Sequence, residues 1–92
     1  MKYFAAFLTM KDPEKSEKYR QEHLDYVEEM RKQKRILQFG RFTDGAGGLI
    51  IYQGENEDEV IEWVKGDPYI EKGARGYEIH EWEMKTDYTI SE

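Results

Sequence analysis

The chain contains no cysteine, which excludes disulfides, thiolate metal sites and a cysteine nucleophile and leaves the redox compartment unmarked. Histidine is scarce as well, with only His23 and His80, so acid–base chemistry near neutral pH has few carriers. Long apolar runs are missing. The longest, Tyr3 to Leu8, falls far short of the roughly 20 residues that span a bilayer. The amino terminus, Met1-Lys2-Tyr3-Phe4, shows neither the apolar core nor the small-residue cleavage site of a secretory signal. A cytoplasmic location without a membrane partner is the expectation.

Positive charge is also in deficit: 14 Lys and Arg against 20 Asp and Glu give a net charge of −6. That balance opposes attraction to phosphate backbones, so nucleic acid is not an expected partner. The basic cluster Arg31-Lys32-Gln33-Lys34-Arg35 falls where a helix should end, and cations there complement the helix dipole. No function is assigned to it. Gly45, Gly47 and Gly48 lack the spacing and the lysine of a phosphate loop and lie between two strand-like segments, which makes them turn residues. No His and carboxylates recur at metal-ligand spacing, so neither a metal nor another cofactor is expected.

What the chain does have is aromatic bulk. Seven Tyr, four Phe and two Trp in 92 residues supply a large buried area for a single core, too small to divide between two domains. One domain over residues 1–86 is expected, followed by a tail at 87–92. Tyr3 to Met10 is apolar in both alternation phases, Tyr3, Ala5 and Phe7 against Phe4, Ala6, Leu8 and Met10, and reads as a strand covered on both faces. Asp12-Pro13 is an N-cap followed by proline at the first helical position. The helix it starts runs to about Lys34, with Tyr19, His23, Tyr26, Val27 and Met30 on its apolar stripe.

Ile36 to Phe42 and Leu49 to Tyr52, joined by a glycine-rich turn, form a hairpin. Asn56 to Glu59 reads as a capping box before a short helix that ends near Gly66. Asp67-Pro68 starts another turn or an ordered loop, and Tyr77 to Met84 is a last strand. The order β-α-β-β-α-β predicts an α+β, ferredoxin-like domain. Its four-stranded antiparallel sheet, in the order 4-1-3-2, carries two helices on one face. The central first and third strands are the doubly apolar ones, so the open face needs a cover. A second copy about a two-fold axis is the expected cover, through residues such as Phe4, Ala6, Leu8 and Ile50 or Ile51, the alternative being a monomer whose tail, with only Tyr88 and Ile90 to offer, folds over that face.

Three side chains stand out chemically. An imidazole at His23, on the core-facing stripe, must find a hydrogen-bond partner. Arg20, one turn earlier, can hold an anionic group, or else pair with Glu17 or Asp25 on the surface. Asp67 can cap the turn at Tyr69 or Ile70, or orient an imidazole. His80 receives no catalytic role.

Three stretches in order, Arg20-Gln21-Glu22-His23-Leu24, Gly40 to Leu49, and Asp67-Pro68-Tyr69-Ile70-Glu71-Lys72-Gly73, together resemble the YCII-related proteins of the dimeric α/β-barrel superfamily. The resemblance implies a ferredoxin-like fold that dimerises into an α/β barrel, and a pocket where the helix histidine, here His23, meets the aspartate of the Asp-Pro motif, here Asp67. It also implies an acid–base enzyme acting on a small molecule, since the superfamily includes isomerases, cofactor-independent oxygenases and dehydrochlorinases of small ring compounds. Two departures touch loop geometry and the pocket rim: Lys32-Gln33-Lys34 replaces a glycine before the second strand, and Arg41 stands where many members carry proline. The expected function is elimination or isomerisation of a small acid by His23 and Asp67, with Arg20 binding the substrate. The alternative is a non-catalytic ligand-binding or dimerisation module in which the same residues only satisfy one another.

Overall fold

The computed structural model describes residues 1–90, so the expected tail at 87–92 lies partly outside the described residues. Strands β1 (Lys2–Met10), β2 (Ile36–Arg41), β3 (Gly47–Gly54) and β4 (Arg75–Glu81) form one antiparallel sheet in the order β2-β3-β1-β4. This is the ferredoxin-like order, with β1 and β3 central. Four helical segments accompany it: α1 (Pro13–Lys18), α2 (Arg20–Lys32), α3 (Glu57–Lys65) and the single turn α4 (Pro68–Glu71). No helix among the described residues is long and apolar enough to cross a membrane.

Three of the four helical segments, α1, α3 and α4, start where a side chain satisfies a free N–H group. Asp12 accepts from Lys15 N–H at 3.1 Å, Asn56 from Glu59 N–H at 2.9 Å, and Asp67 from Tyr69 N–H at 2.9 Å. The long first helix expected from the sequence is instead two segments that meet at Tyr19 (φ −100°, ψ 11°). The Tyr19 N–H still reaches the Lys15 carbonyl at 2.9 Å and its carbonyl accepts from His23 N–H at 3.0 Å, so the segments remain hydrogen-bonded through the break. After α2 the chain reverses at Lys34, whose φ of 63° is the left-handed conformation that glycine adopts more cheaply.

The core lies between the sheet and the helices. Phe4, Ala6 and Leu8 of β1 and Ile50 and Tyr52 of β3 pack there with Val27 and Met30 of α2, and with Val60 and Val64 of α3. Phe4, Ala6 and Leu8 are at most 1% exposed and lie under the helices, which corrects the expectation that they form the open face. Their cross-strand partners share their side: Phe4 pairs with Tyr52 and Ala6 with Ile50. Tyr3, Ala5, Phe7, Leu49 and Ile51 point the other way. In a strand apolar on both sides the pattern leaves the phase undetermined, and a one-residue shift exchanges the faces.

The turn between β2 and β3 brings the sheet backbone close together beside the cavity described below. Gly47 has φ 137°, and a Cβ there would sit 2.0 Å from the Leu8 carbonyl oxygen, so no side chain fits where β3 enters the sheet.

Candidate active site

His23 lies on the buried stripe of α2, one turn before Val27 and two before Met30. Its only backbone-independent route to a partner is through its ring nitrogens, and the partner comes from 44 positions away. Pro68 disfavours the helical conformation at Asp67, and Asp67 is extended (φ −66°, ψ 128°). That conformation turns its carboxylate back over the start of α4. His23 Nδ1 lies 2.8 Å from Asp67 Oδ1 and 2.9 Å from Oδ2, and Oδ1 also accepts from Tyr69 N–H. Capping and imidazole contact, two separate options in the sequence, are performed by one carboxylate.

Asp67 is 0% exposed. A sealed carboxylate that accepts from a backbone N–H is held as an acceptor, so the nitrogen facing it is the donor: Nδ1 carries the proton. The lone pair of neutral His23 then resides on Nε2, which makes no hydrogen bond among the described residues. The ring is fixed further by Tyr69, stacked on it with centroids 4.0 Å apart and 12° between planes. Thus α4 and its N-cap residue supply both the carboxylate that faces Nδ1 and the aromatic surface that sets the ring plane.

The Asp67 charge is felt by nearby phenols. Tyr26 donates to the Trp63 carbonyl at 2.6 Å. Burial, assisted by the negative charge of Asp67, pushes the Tyr26 hydroxyl up to about 12. The same two causes, burial first, hold the Tyr52 hydroxyl well above the ordinary phenol value. Burial also raises Tyr69, against the pull of Arg75 and Arg20.

The open edge of His23 lines a cavity of about 390 Å³ between the α1–α2 arm and the sheet, a size suited to a small organic ligand. Leu24, Phe39 and Ile50 give it apolar walls, and Arg20, Arg41 and Arg75 bring cations to it. Arg20 makes no ion pair with Glu17 or Asp25; the side-chain amide of Gln21 occupies Asp25 instead, at 2.9 Å. The structure therefore brings His23, Asp67 and Arg20 to one place. His80 is outside it, exposed on β4 and 3.8 Å from Glu78. Among the described residues no three of His, Cys, Asp and Glu converge as metal ligands.

Sequence reasoning missed Tyr69, Arg75 and Ser16. Tyr69 stood in the quoted Asp-Pro-Tyr string, but stacking between two aromatic rings leaves no trace in spacing. Arg75 and Ser16 meet across 59 positions, beyond any local pattern. Arg41 drew notice only as a departure at the pocket rim, and it does line the cavity.

Topology and cavity define a ferredoxin-like α+β domain with a ligand-sized pocket between sheet and helices. The chain belongs to the YCII-related family, whose domain profile matches residues 1–83. It is 30% identical over 87 residues to the uncharacterized protein YjpA of Bacillus subtilis (strain 168), covering 90% of this chain and 98% of that one. Among solved structures it is similar in fold to 5-chloro-2-hydroxyhydroquinone dehydrochlorinase (TftG) from Burkholderia phenoliruptrix AC1100, in complex with 2,5-dihydroxybenzoquinone. That likeness has a TM-score of 0.77 and 20% sequence identity, over 90% of this chain and 95% of the other.

The raised phenols make the protein sensitive to alkali. A hydroxyl whose folded value exceeds its unfolded value of 10.0 contributes stability that is complete below pH 10 and lost as pH rises toward about 12. Denaturant titrations between pH 9 and 12 should show stability falling from about pH 10 upward, and Tyr26→Phe should flatten that fall. A fall that is the same in the variant contradicts the assignment.

Proposed function

We propose that this chain is a small-molecule enzyme in which Nε2 of His23 moves a proton to or from a bound acid, in an isomerisation or an elimination. One observation carries the reading: the His23 ring is held on Asp67 through Nδ1, and His23 lines the cavity. In an isomerisation Nε2 takes a proton from one atom and returns it to another. In an elimination it takes a proton while the leaving group departs with its bonding electrons. Asp67 orients the ring and stabilises the imidazolium that forms, and Arg20 binds a negative group of the substrate. The structural relative, a dehydrochlorinase, supports a small-molecule enzyme and, among the two reactions, an elimination.

A structural reading of the same pair has its own support, since Asp67 also caps α4 and buries completely. Proton exchange separates the two without a known substrate. A panel of hydroxylated ring acids and small keto acids, incubated with protein in deuterium oxide, should incorporate deuterium in at least one member. His23→Gln and Asp67→Asn should lower that rate by roughly 10²-fold or more, with His23→Gln melting within about 1 kcal/mol of the parent. If both variants instead lose about 2–3 kcal/mol in parallel and the parent exchanges nothing, the pair is structural.

We further propose that the working unit is a homodimer that joins the open sheet faces, with Tyr3, Ala5, Phe7 and Leu49 at the contact. These side chains are only half-buried on the face opposite the helices, and an isologous contact covers them on both copies at once. Sedimentation at micromolar concentration should give a dimer that Phe7→Glu converts to monomer. An 11.0 kDa species for the parent chain contradicts this.

A further inference from the structure

The cation most firmly built into the cavity is Arg75, at the start of β4. Its Nε donates to Ser16 Oγ at 3.0 Å, and its guanidinium carbon lies 4.5 Å from the centre of the Tyr69 ring that stacks on His23. Ser16 is itself 5% exposed, and its hydroxyl lies within reach of the Ala74 carbonyl (3.4 Å) and Met10 Sδ (3.3 Å). Arg75 is therefore anchored by one edge of its fork, and it makes no ion pair with any described carboxylate. In a chain with 20 acidic residues, a half-buried guanidinium without a counter-charge stands out, because its lost hydration is compensated best by an anion in bidentate geometry.

Arg75 is not alone. Of Arg20, Arg31, Arg35, Arg41 and Arg75, the chain's arginines, three line this cavity, with one acidic residue, Glu17, and no lysine. Their placement on the sheet matters. Arg41 ends β2 and Arg75 begins β4, the two border strands, with β3 and β1 between them. Three strand spacings separate their backbones by about 14 Å, and Leu8, Gly48 and Ile50 form the floor in between. Arg20 overlooks the cavity from α2.

We infer that the cavity takes small planar dianions with acidic groups at opposite ends, one docked on the free edge of Arg75 and the other held by Arg41 and Arg20. The ring between them lies along Phe39 and Ile50, with its edge toward His23. A ligand with both charges at one end leaves one of the two cationic ends unpaired, and a neutral one leaves both. This names the substrate class for the proposed site; it depends on that cavity being the working site but not on proton transfer by His23.

Four matched rings test it by calorimetry at neutral pH and low salt: benzene-1,4-dicarboxylate, benzene-1,2-dicarboxylate, benzoate and benzamide. The 1,4-dianion should bind at least tenfold tighter than benzoate and than the 1,2-isomer, and benzamide should not bind measurably. Arg75→Gln should remove that advantage, while Arg75→Lys, which keeps the charge without the fork, should retain part of it. Thermal melts of both variants, compared with the parent, guard against loss of fold. Equal affinity for benzoate and the 1,4-dianion, no binding of either, or a folded Arg75→Gln protein that binds as before overturns the inference. Calorimetry of the parent protein reads charge recognition alone and deuterium exchange reads proton transfer alone, so failure of the acid–base reading and failure of this one give different results.

Discussion

A carboxylate with no access to water, Asp67, is the constraint around which this domain is organised. A buried charge must be met by donors, and here they come from two elements: the Nδ1–H of His23 on α2 and the backbone N–H of Tyr69 on α4. Meeting that demand ties α2 to the start of α4 and leaves the other imidazole nitrogen without a hydrogen bond among the described residues, on a side chain that lines the cavity. Burial, with the same negative charge added to it, raises the hydroxyls of Tyr26 and Tyr52. The proposed chemistry thus uses an arrangement that folding already requires.

The cavity adds a second electrostatic theme. The surface as a whole is acidic, yet the space beside His23 collects arginines from α2, β2 and β4. Because those elements are far apart in the chain, the cluster is a product of topology: the strand order β2-β3-β1-β4 puts the end of β2 and the start of β4 on opposite borders of one floor. Small residues keep that floor low. Gly48 lines it and Gly47 lets β3 approach β1 where no side chain would fit.

Local signals in the sequence carried much of this. Asp12-Pro13, Asn56 and Asp67-Pro68 each cap the segment they were expected to start, and the succession of periodicities matches the observed strand order with β1 and β3 central. The meeting of His23 with Asp67 followed from a buried imidazole in need of a partner and from a family resemblance, not from spacing. Other features had no local signature. Both faces of β1 are apolar, so its sequence leaves the phase undetermined, and the structure puts Phe4, Ala6 and Leu8 under the helices, opposite to the expected side. Arg75 gains meaning only from contacts with Ser16, 59 positions away, and with the Tyr69 ring across the turn into β4, and the Tyr69 stack depends on an angle between rings.

The central claim is that Asp67 fixes His23 with its proton on Nδ1 and its lone pair on Nε2 at the cavity. Nitrogen NMR of protein labelled in the histidine ring reads this directly, with His80, exposed on β4, as an internal reference. Above the titration of the ring, His23 should show a protonated Nδ1 and an unprotonated Nε2, and Asp67→Asn should disturb that preference while leaving His80 unchanged. A neutral His23 with its proton on Nε2, or with both tautomers populated, contradicts the account.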